Sequence, residues 1–202
     1  MARYTGAKLR ITRRLGDLPG FTSKKSNSTK RPGQHGANQK KLTQYAIRLE
    51  EKQKLRYNYG LSEKKLMNYI RQAKKIKGAT GTVLLQLLEM RLDNIVFRLG
   101  MAPTIAAARQ IVGHKHILVN NNCVSIASYQ CQPGDVIGIK DSPSTKKLVE
   151  NFLESPALSN IPQHLDFDKK NIKAKVLGIV DREWVALKLN ELFVIEFYSR
   201  KI

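Results

Sequence analysis

Residues 104–116 gather Thr104, Arg109, Gln110, His114, Lys115 and His116 around three alanines, Ala106 to Ala108. These side chains do not make a nucleophile with its base. They make a set of donors for phosphate and sugar oxygens. Small residues at a helix start leave backbone N–H groups open to an anion, and Thr104 after Pro103 is a natural cap for such a helix. Among the four histidines only His114 and His116 stand close, and an i,i+2 pair on a strand could bind a metal. No acid or thiol sits nearby in sequence to complete it, so polar contacts to a ligand are the better reading. A second donor-rich spot is Gly33-Gln34-His35-Gly36. Glycine lets backbone approach a ligand, and Gln34 and neutral His35 both donate and accept. On local sequence alone, a plain surface turn explains this spot equally well.

Several chemistries are missing. Cys123 and Cys131 are the only cysteines, too few for a disulfide framework and not spaced as a zinc pair. No glycine-rich phosphate loop of the P-loop or dinucleotide type occurs. No Ser/His/Asp or Cys/His set has supporting context. No apolar run approaches the ~20 residues that cross a bilayer, and no segment combines a cationic face with a strongly apolar one. No membrane partner is expected.

The elements that must position the donors are readable. Leu92, Ile95, Val96 and Leu99 recur at helical spacing, and Gly100 stands where that helix stops. A second helix from Thr104 has Ile105, Ala108, Ile111 and Val112 as its apolar stripe and ends at Gly113. Ile117–Val119 and Val124–Ile126 read as strands joined by Asn120-Asn121-Asn122, since asparagine tolerates left-handed backbone. Pro133-Gly134-Asp135 turns into a strand over Val136–Ile139. On spacing alone this is a small α+β unit with a few surface charges.

The charge balance points further. The chain has 202 residues, a net charge of +20 and a pI near 10.1, which call for a polyanionic partner, nucleic acid first. The charge is uneven: residues 1–80 hold 21 Lys/Arg against 4 Asp/Glu, whereas residues 81–140 hold 5 against 3. Residues 22–41 contain no acid and almost nothing to bury, so they are expected to be disordered alone and ordered along phosphates. A floppy cationic tail and an organelle transit peptide are the competing readings. Leu15, Leu18 and Phe21 around Pro19-Gly20 read as a small apolar anchor.

Farther on, a helix is expected over Thr43–Tyr57. Another starts at Ser62 with Leu66, Met67, Ile70, Ala73 and Ile76 inward, and a third is capped by Thr82. Beyond the linker Asp141–Lys147, a short helix is expected over Lys146–Leu153, ending at Ser155-Pro156. Residues 156–171 look loop-like. Lys173–Val180 and Trp184–Leu189 have strand character, and a last helix is expected from Asn190 through Tyr198, although LFVIEF has equal β propensity.

RLDNIVFRLG, ARQIVGHKHILVN, ASYQ and PGD, with MARYTG, GQHG, RLEEKQKLRYNYGL, LLQLLEMRLDN and EFYSR in the same order, resemble the small-subunit ribosomal protein four (S-four) family across nearly the whole chain. The module alone recurs in enzymes. Pseudouridine synthases that carry it have a catalytic aspartate in Gly-Arg-Leu-Asp. Here Met90 replaces that glycine, and Asp93 lies within the module's first helix, so it reads as a helix-surface or packing residue. Residues 141–202 are too short for the nucleotide-binding fold of tyrosyl-transfer-RNA synthetases. The chain is therefore not expected to be an enzyme.

The resemblance implies an α+β fold with four parts. They are a basic extension (1–41), a helical region (42–89), an S-four-type RNA-binding module (90–140), and a C-terminal α/β portion (141–202) packed with the N-terminal helices. It implies direct binding of the small-subunit ribosomal RNA 5′ domain, early nucleation of the subunit body and a part in decoding accuracy. Implied partners are ribosomal proteins S-five and S-three, and messenger RNA near the entry channel. MARYTG resembles the family's own mature start, which disfavours a transit peptide. Many relatives bind zinc or an iron–sulfur cluster near the N-terminus, but this chain has no cysteine before Cys123, so no metal or other cofactor is expected. DREWVALKLNELFVIEFYSR and RRLGDLPGFTSK resemble plastid-encoded versions, with a bacterial source as the alternative.

The candidate RNA contacts in the extension are Arg3, Lys8, Arg10, Arg13, Arg14, Lys24, Lys25, Arg31, Gln34, His35, Lys40 and Lys41. In the helical region they are Arg48, Lys52 and Arg56. In the module they are Arg91, Asn94, Arg98, Thr104, Arg109, Gln110, His114, Lys115, His116, Asn120 and Tyr129. The chain departs from the family at Ile105, where a basic residue is common, at Asn121, where glycine is usual, and at Ala127, where proline is frequent.

Overall fold

The computed structural model describes residues 4–28, 30–34, 36, 41–154 and 161–199. Its helices begin with α1 (Lys8–Leu15), α2 (Gln44–Asn58), α3 (Glu63–Lys75), α4 (Thr80–Glu89), α5 (Leu92–Arg98) and α6 (Ile105–Gly113). Strands β1 (Ile117–Val119), β2 (Asn122–Cys123) and β3 (Val136–Ile139) follow, then α7 (Pro143–Leu153), β4 (Leu165–Asp168), β5 (Lys173–Val176) and α8 (Glu191–Ser199). The chain falls into two compact units: residues 1–84 with 186–202, and residues 85–185.

The first unit is helical. Ser62 caps α3 as expected, accepting from Lys65 N at 3.4 Å, and Thr43, expected as the first helical residue, is instead the cap of α2, accepting from Ala46 N at 3.3 Å. Leu66, Ile70 and Ala73 of α3 are fully buried, whereas Ile76 is exposed. The anchor of Leu15, Leu18 and Phe21 is buried, and Gly20 N–H donates to Asn58 Oδ1 at 2.9 Å, tying the extension to the end of α2. The last segment is the expected helix: Asn190 Oδ1 accepts from Leu192 N, and α8 lies along α2. α1 was not anticipated. Four of its eight residues are Lys or Arg and only Leu15 is buried, so little apolar surface marks it in the sequence. α4 starts at Thr80, ahead of the expected cap at Thr82.

The second unit carries a five-stranded antiparallel sheet in the order β2-β1-β3-β5-β4. The turn between β1 and β2 is tighter than expected. Asn120 and Asn121 both take left-handed backbone, φ 51° and 67°, so Asn122 already pairs with Val119. β2 is therefore Asn122–Cys123 rather than Val124–Ile126, and Ile126 is exposed. α6 ends at Gly113 as expected, and α7 opens earlier than expected, at Pro143, whose fixed φ suits a first helical turn. β4 was missed because Asp166 and Asp168 face outward and dilute the pattern. β5 stops at Val176, and Trp184–Leu189 is no strand: Arg182–Trp184 forms a single 3-10 turn.

Domain assignment also changes. β5 pairs with β3, so residues 141–185 belong with the module, and only 186–202 rejoin the N-terminal helices. Within the described part of residues 22–41 there is no helix or strand. Residues 29, 35 and 37–40 of that stretch, and the helix end expected at Ser155-Pro156, lie outside the described residues.

At Asn121 a glycine would adopt φ 67° freely, whereas a β-branched residue would pay about 1–2 kcal/mol. Asn121→Gly is expected to leave the denaturation midpoint of the second unit unchanged or raised, and Asn121→Val to lower it. Equal midpoints for the two variants would show that the turn does not impose this geometry.

Candidate nucleic-acid interface

Asp93 is fully buried in the first turn of α5. Its carboxylate accepts from Arg91 twice, Nε at 2.9 Å and Nη2 at 2.7 Å, and from Arg109 Nε of α6 at 2.7 Å. Backbone bonds strap residues 126–131 to the same point: Leu92 N donates to Tyr129 O, Asp93 N to Ala127 O and Cys131 N to Met90 O. One turn back, Glu89 Oε2 accepts from Asn94 Nδ2 at 2.7 Å and Arg98 Nε at 3.2 Å, and Arg98 also donates to Trp184 O. Arg91, Asn94 and Arg98 are thus interior side chains, 2%, 2% and 6% exposed. As candidate RNA contacts they are corrected: their donors hold the unit together. The sequence carried a partial signal in the short Arg91-x-Asp93 spacing, but Glu89 as the partner of Arg98 was not foreseen.

Thr104 caps α6, its Oγ1 accepting from Ala107 N at 3.2 Å. Arg109 is mostly committed to Asp93, its side chain 20% exposed. Gln110, His114 and Lys115 are exposed, with Lys115 in left-handed backbone at φ 61°. His116 is half-buried, its Nδ1 2.8 Å from Thr145 Oγ1. Asn120 is spent on the hairpin: Nδ2 donates to Asp135 Oδ1 and Oδ1 accepts from Val136 N. Tyr129 is half-buried, and the nearby Asp135 charge raises its pKa. Ile105, which departs from the family's basic residue, is a core residue at 2% exposure. Of the candidate contacts in this unit, Gln110, His114 and Lys115 remain exposed and available, with part of Arg109.

In the first unit Arg10, Arg14, Lys24, Lys25, Gln34 and Lys41 are exposed, and none of the cations pairs with an acid among the described residues. Others are held. Lys8 Nζ donates to Phe21 O, Arg13 Nε to Lys30 O, and Arg31 pairs with Glu50 at 3.4 Å. Arg48 pairs with Glu196 at 2.5 Å. Lys52 is buried against both Glu63 oxygens at 3.1 Å, and Arg56 donates to Gln53 Oε1 and Leu61 O. Lys52 in particular is a structural cation, corrected from the candidate set. Arg3, His35 and Lys40 lie outside the described residues.

Two buried groups sit apart from this surface. Burial, with help from Asp135 and Asp93, pushes the Cys131 thiol up to about 12, so it stays a neutral packing group. Burial and then Arg98 push His164 down to about 4, against a smaller opposing pull from Asp181, and its Nδ1 has no hydrogen-bond partner among the described residues.

The second unit joins a helix pair and an antiparallel sheet, with exposed donors just past the second helix, and the helical first unit carries most of the positive charge, features that suit a nucleic-acid-binding protein. The family models give the class. The ribosomal protein S4/S9 N-terminal domain matches residues 3–89 and the S4 domain matches residues 90–137. Over its full length and theirs, the chain is 79% identical to small ribosomal subunit protein uS4c of Emiliania huxleyi and 61% identical to uS4c of Pyropia yezoensis. It is 62% identical, again with full coverage, to small ribosomal subunit protein uS4 of Trichormus variabilis. The chain belongs to the small ribosomal subunit protein uS4 family, a family of structural ribosomal proteins that bind small-subunit ribosomal RNA, not of enzymes.

Breaking a buried ion pair from one side typically costs about 3–5 kcal/mol. Asp93→Asn should therefore lower the stability of the second unit by that order, and Arg109→Ala by about 1–3 kcal/mol, both read by urea denaturation. Losses under ~0.5 kcal/mol would remove the network from the account. A histidine whose folded pKa lies below its unfolded value takes up its proton more readily when unfolded. Stability from neutral His164 is complete above pH ~6.5 and falls between there and about 4. His164→Phe should flatten that part of the pH–stability curve, and an unchanged slope would rule the histidine out.

Proposed function

We propose that this chain is a structural constituent of the small subunit of a plastid ribosome, where it binds ribosomal RNA directly. The observation that carries the reading is the charge map. Residues 1–80 hold 21 Lys/Arg against 4 Asp/Glu, and many of these cations stand exposed without an acid partner among the described residues. The high identity to uS4c proteins supports a plastid setting, and the 62% identity to uS4 of Trichormus variabilis keeps a bacterial ribosome as the second reading. The family resemblance supports the finer assignments. These are binding to the 5′ domain of the small-subunit RNA, nucleation of the subunit body, contacts with S-five and S-three, a place near the messenger-RNA entry channel, and influence on decoding accuracy.

In mechanism, the exposed cations of the first unit neutralise phosphates and release counterions, which makes binding steeply salt-dependent. The second unit, its shape fixed by buried ion pairs, presents Gln110, His114 and Lys115 as a pre-formed contact.

Deleting residues 1–41 is a poor test, because it also removes the buried Leu15, Leu18 and Phe21. Replacing Arg10, Arg14, Lys24 and Lys25 by glutamine leaves that anchor intact. The variant should bind a 5′-domain RNA fragment more weakly, and the slope of log affinity against log salt should fall by about 3–4, near 0.9 per lost phosphate contact. An unchanged slope would exclude the extension as the main electrostatic contact. Failure of the purified native protein to cosediment with small subunits would exclude the ribosomal reading itself.

A further inference from the structure

α2 and α3 use their cations in opposite ways. Every basic side chain of α2 is engaged: Arg48 with Glu196, Lys52 with Glu63, Lys54 with Glu51, and Arg56 with Gln53 and Leu61 O. On α3, none of Lys64, Arg71, Lys74 and Lys75 pairs with an acid among the described residues, and all four are exposed, as is Lys77 just beyond. The helix's own acid, Glu63, is drawn to the other side. Burial acts to raise its pKa, but hydrogen bonds from Tyr198 and Lys52 outweigh it, and the carboxylate is held below its ordinary range.

Lys64, Asn68, Arg71 and Lys75 stand at i, i+4, i+7 and i+11, a single line about 16 Å long at 1.5 Å per residue. They lie opposite the fully buried Leu66, Ile70 and Ala73. We propose that this outer face of α3 is a docking face for an RNA backbone, separate from the extension and from the donors after α6. The inference rests on the reading that the chain binds ribosomal RNA.

Fold stability does not account for the row. Lys74 and Lys75 suit the negative end of the helix dipole, but Lys64 sits in the first turn, where a cation is unfavourable. Like charges one turn apart, as Arg71 and Lys75 are, also repel at physiological salt, because their ~6 Å separation along the helix is within the screening length of about 8 Å. A polyanion removes that repulsion. Other occupants fit less well. A membrane-surface helix must insert its apolar face, and the apolar face of α3 is already buried. A protein hot spot is built around a central aromatic or apolar anchor; between Lys64 and Lys75 the exposed positions apart from cations are Asn68 and Gln72, and the exposed Ile76 lies at the end of the row, not at its centre.

The test compares Lys64→Gln/Arg71→Gln/Lys75→Gln with a control, Lys169→Gln/Lys170→Gln/Lys173→Gln, in the full chain. Glutamine matches lysine and arginine in helix propensity, so melting should be preserved, and circular dichroism checks it. With a 5′-domain RNA fragment, the α3 variant should bind more weakly and its salt slope should fall by about 2–3, while the control keeps both. Lysine-reactivity footprinting of the unmutated chain gives a second readout that no folding defect can disturb. Lys64, Lys74 and Lys75 should be protected by the RNA while Lys169 and Lys170 stay reactive. If the native chain binds the RNA but slope and protection at α3 do not change, the docking face is overturned and the RNA-binding reading stands. If the native chain does not bind at all, both fall. Protection of these lysines by polyglutamate but not by RNA would assign the face to an acidic protein and overturn the proposal.

Discussion

The carboxylate of Asp93 is the point on which the second unit depends. It is fully buried, which alone would cost several kcal/mol. Arg91 supplies two hydrogen bonds, Arg109 a third, and the α5 N-terminus a favourable dipole. Each of these ties a different part of the chain to one spot: the start of α5, the flank of α6 and, through adjacent backbone bonds, residues 126–131. The helix pair cannot slide without leaving a buried charge uncompensated. That rigidity fixes where the residues after α6 stand.

The two units put the same residue type to opposite uses. In the second unit arginine is mostly a structural cation, because its planar fork matches a carboxylate at two points and is weakly hydrated. Arg91, Arg98 and Arg109 are placed that way. In the first unit many lysines and arginines stand in water with no acid near them, and their contribution begins when a polyanion arrives. Counting charges along the sequence cannot separate these uses, since each residue contributes the same unit to the net charge.

That explains what was legible. The helices over residues 44–113, the caps Ser62 and Thr104, and strand Val136–Ile139 follow from local periodicity and capping chemistry. The carboxyl-terminal helix was legible only from Asn190 as a cap, since the run LFVIEF suits a strand equally well. β4, α1 and the true extent of the second unit were not, because each depends on a partner distant in sequence. β4 is a strand chiefly because β5 pairs with it, and β5 belongs to the second unit because β3 pairs with it. For the interface, residue type identified donors correctly but not their engagement: Asn120 looks like a free amide until Asp135 and Val136 are seen to occupy both its ends.

The same distinction governs the interior. Charge is admitted there only where hydrogen-bonded partners receive it, as Asp93 and Glu89 are received by arginines. Among the described residues Cys131 and His164 have no such partner, and both are held in their neutral forms. Arg98 shows why the two rules are linked. Its charge is matched by Glu89, yet it still disfavours a proton on His164. Adding a charge at His164 would therefore act against the network that fixes the helix pair. The interior tolerates its ion pairs because their neighbours stay uncharged, and many surface cations of the first unit, unpaired with acids among the described residues, await a partner supplied from outside.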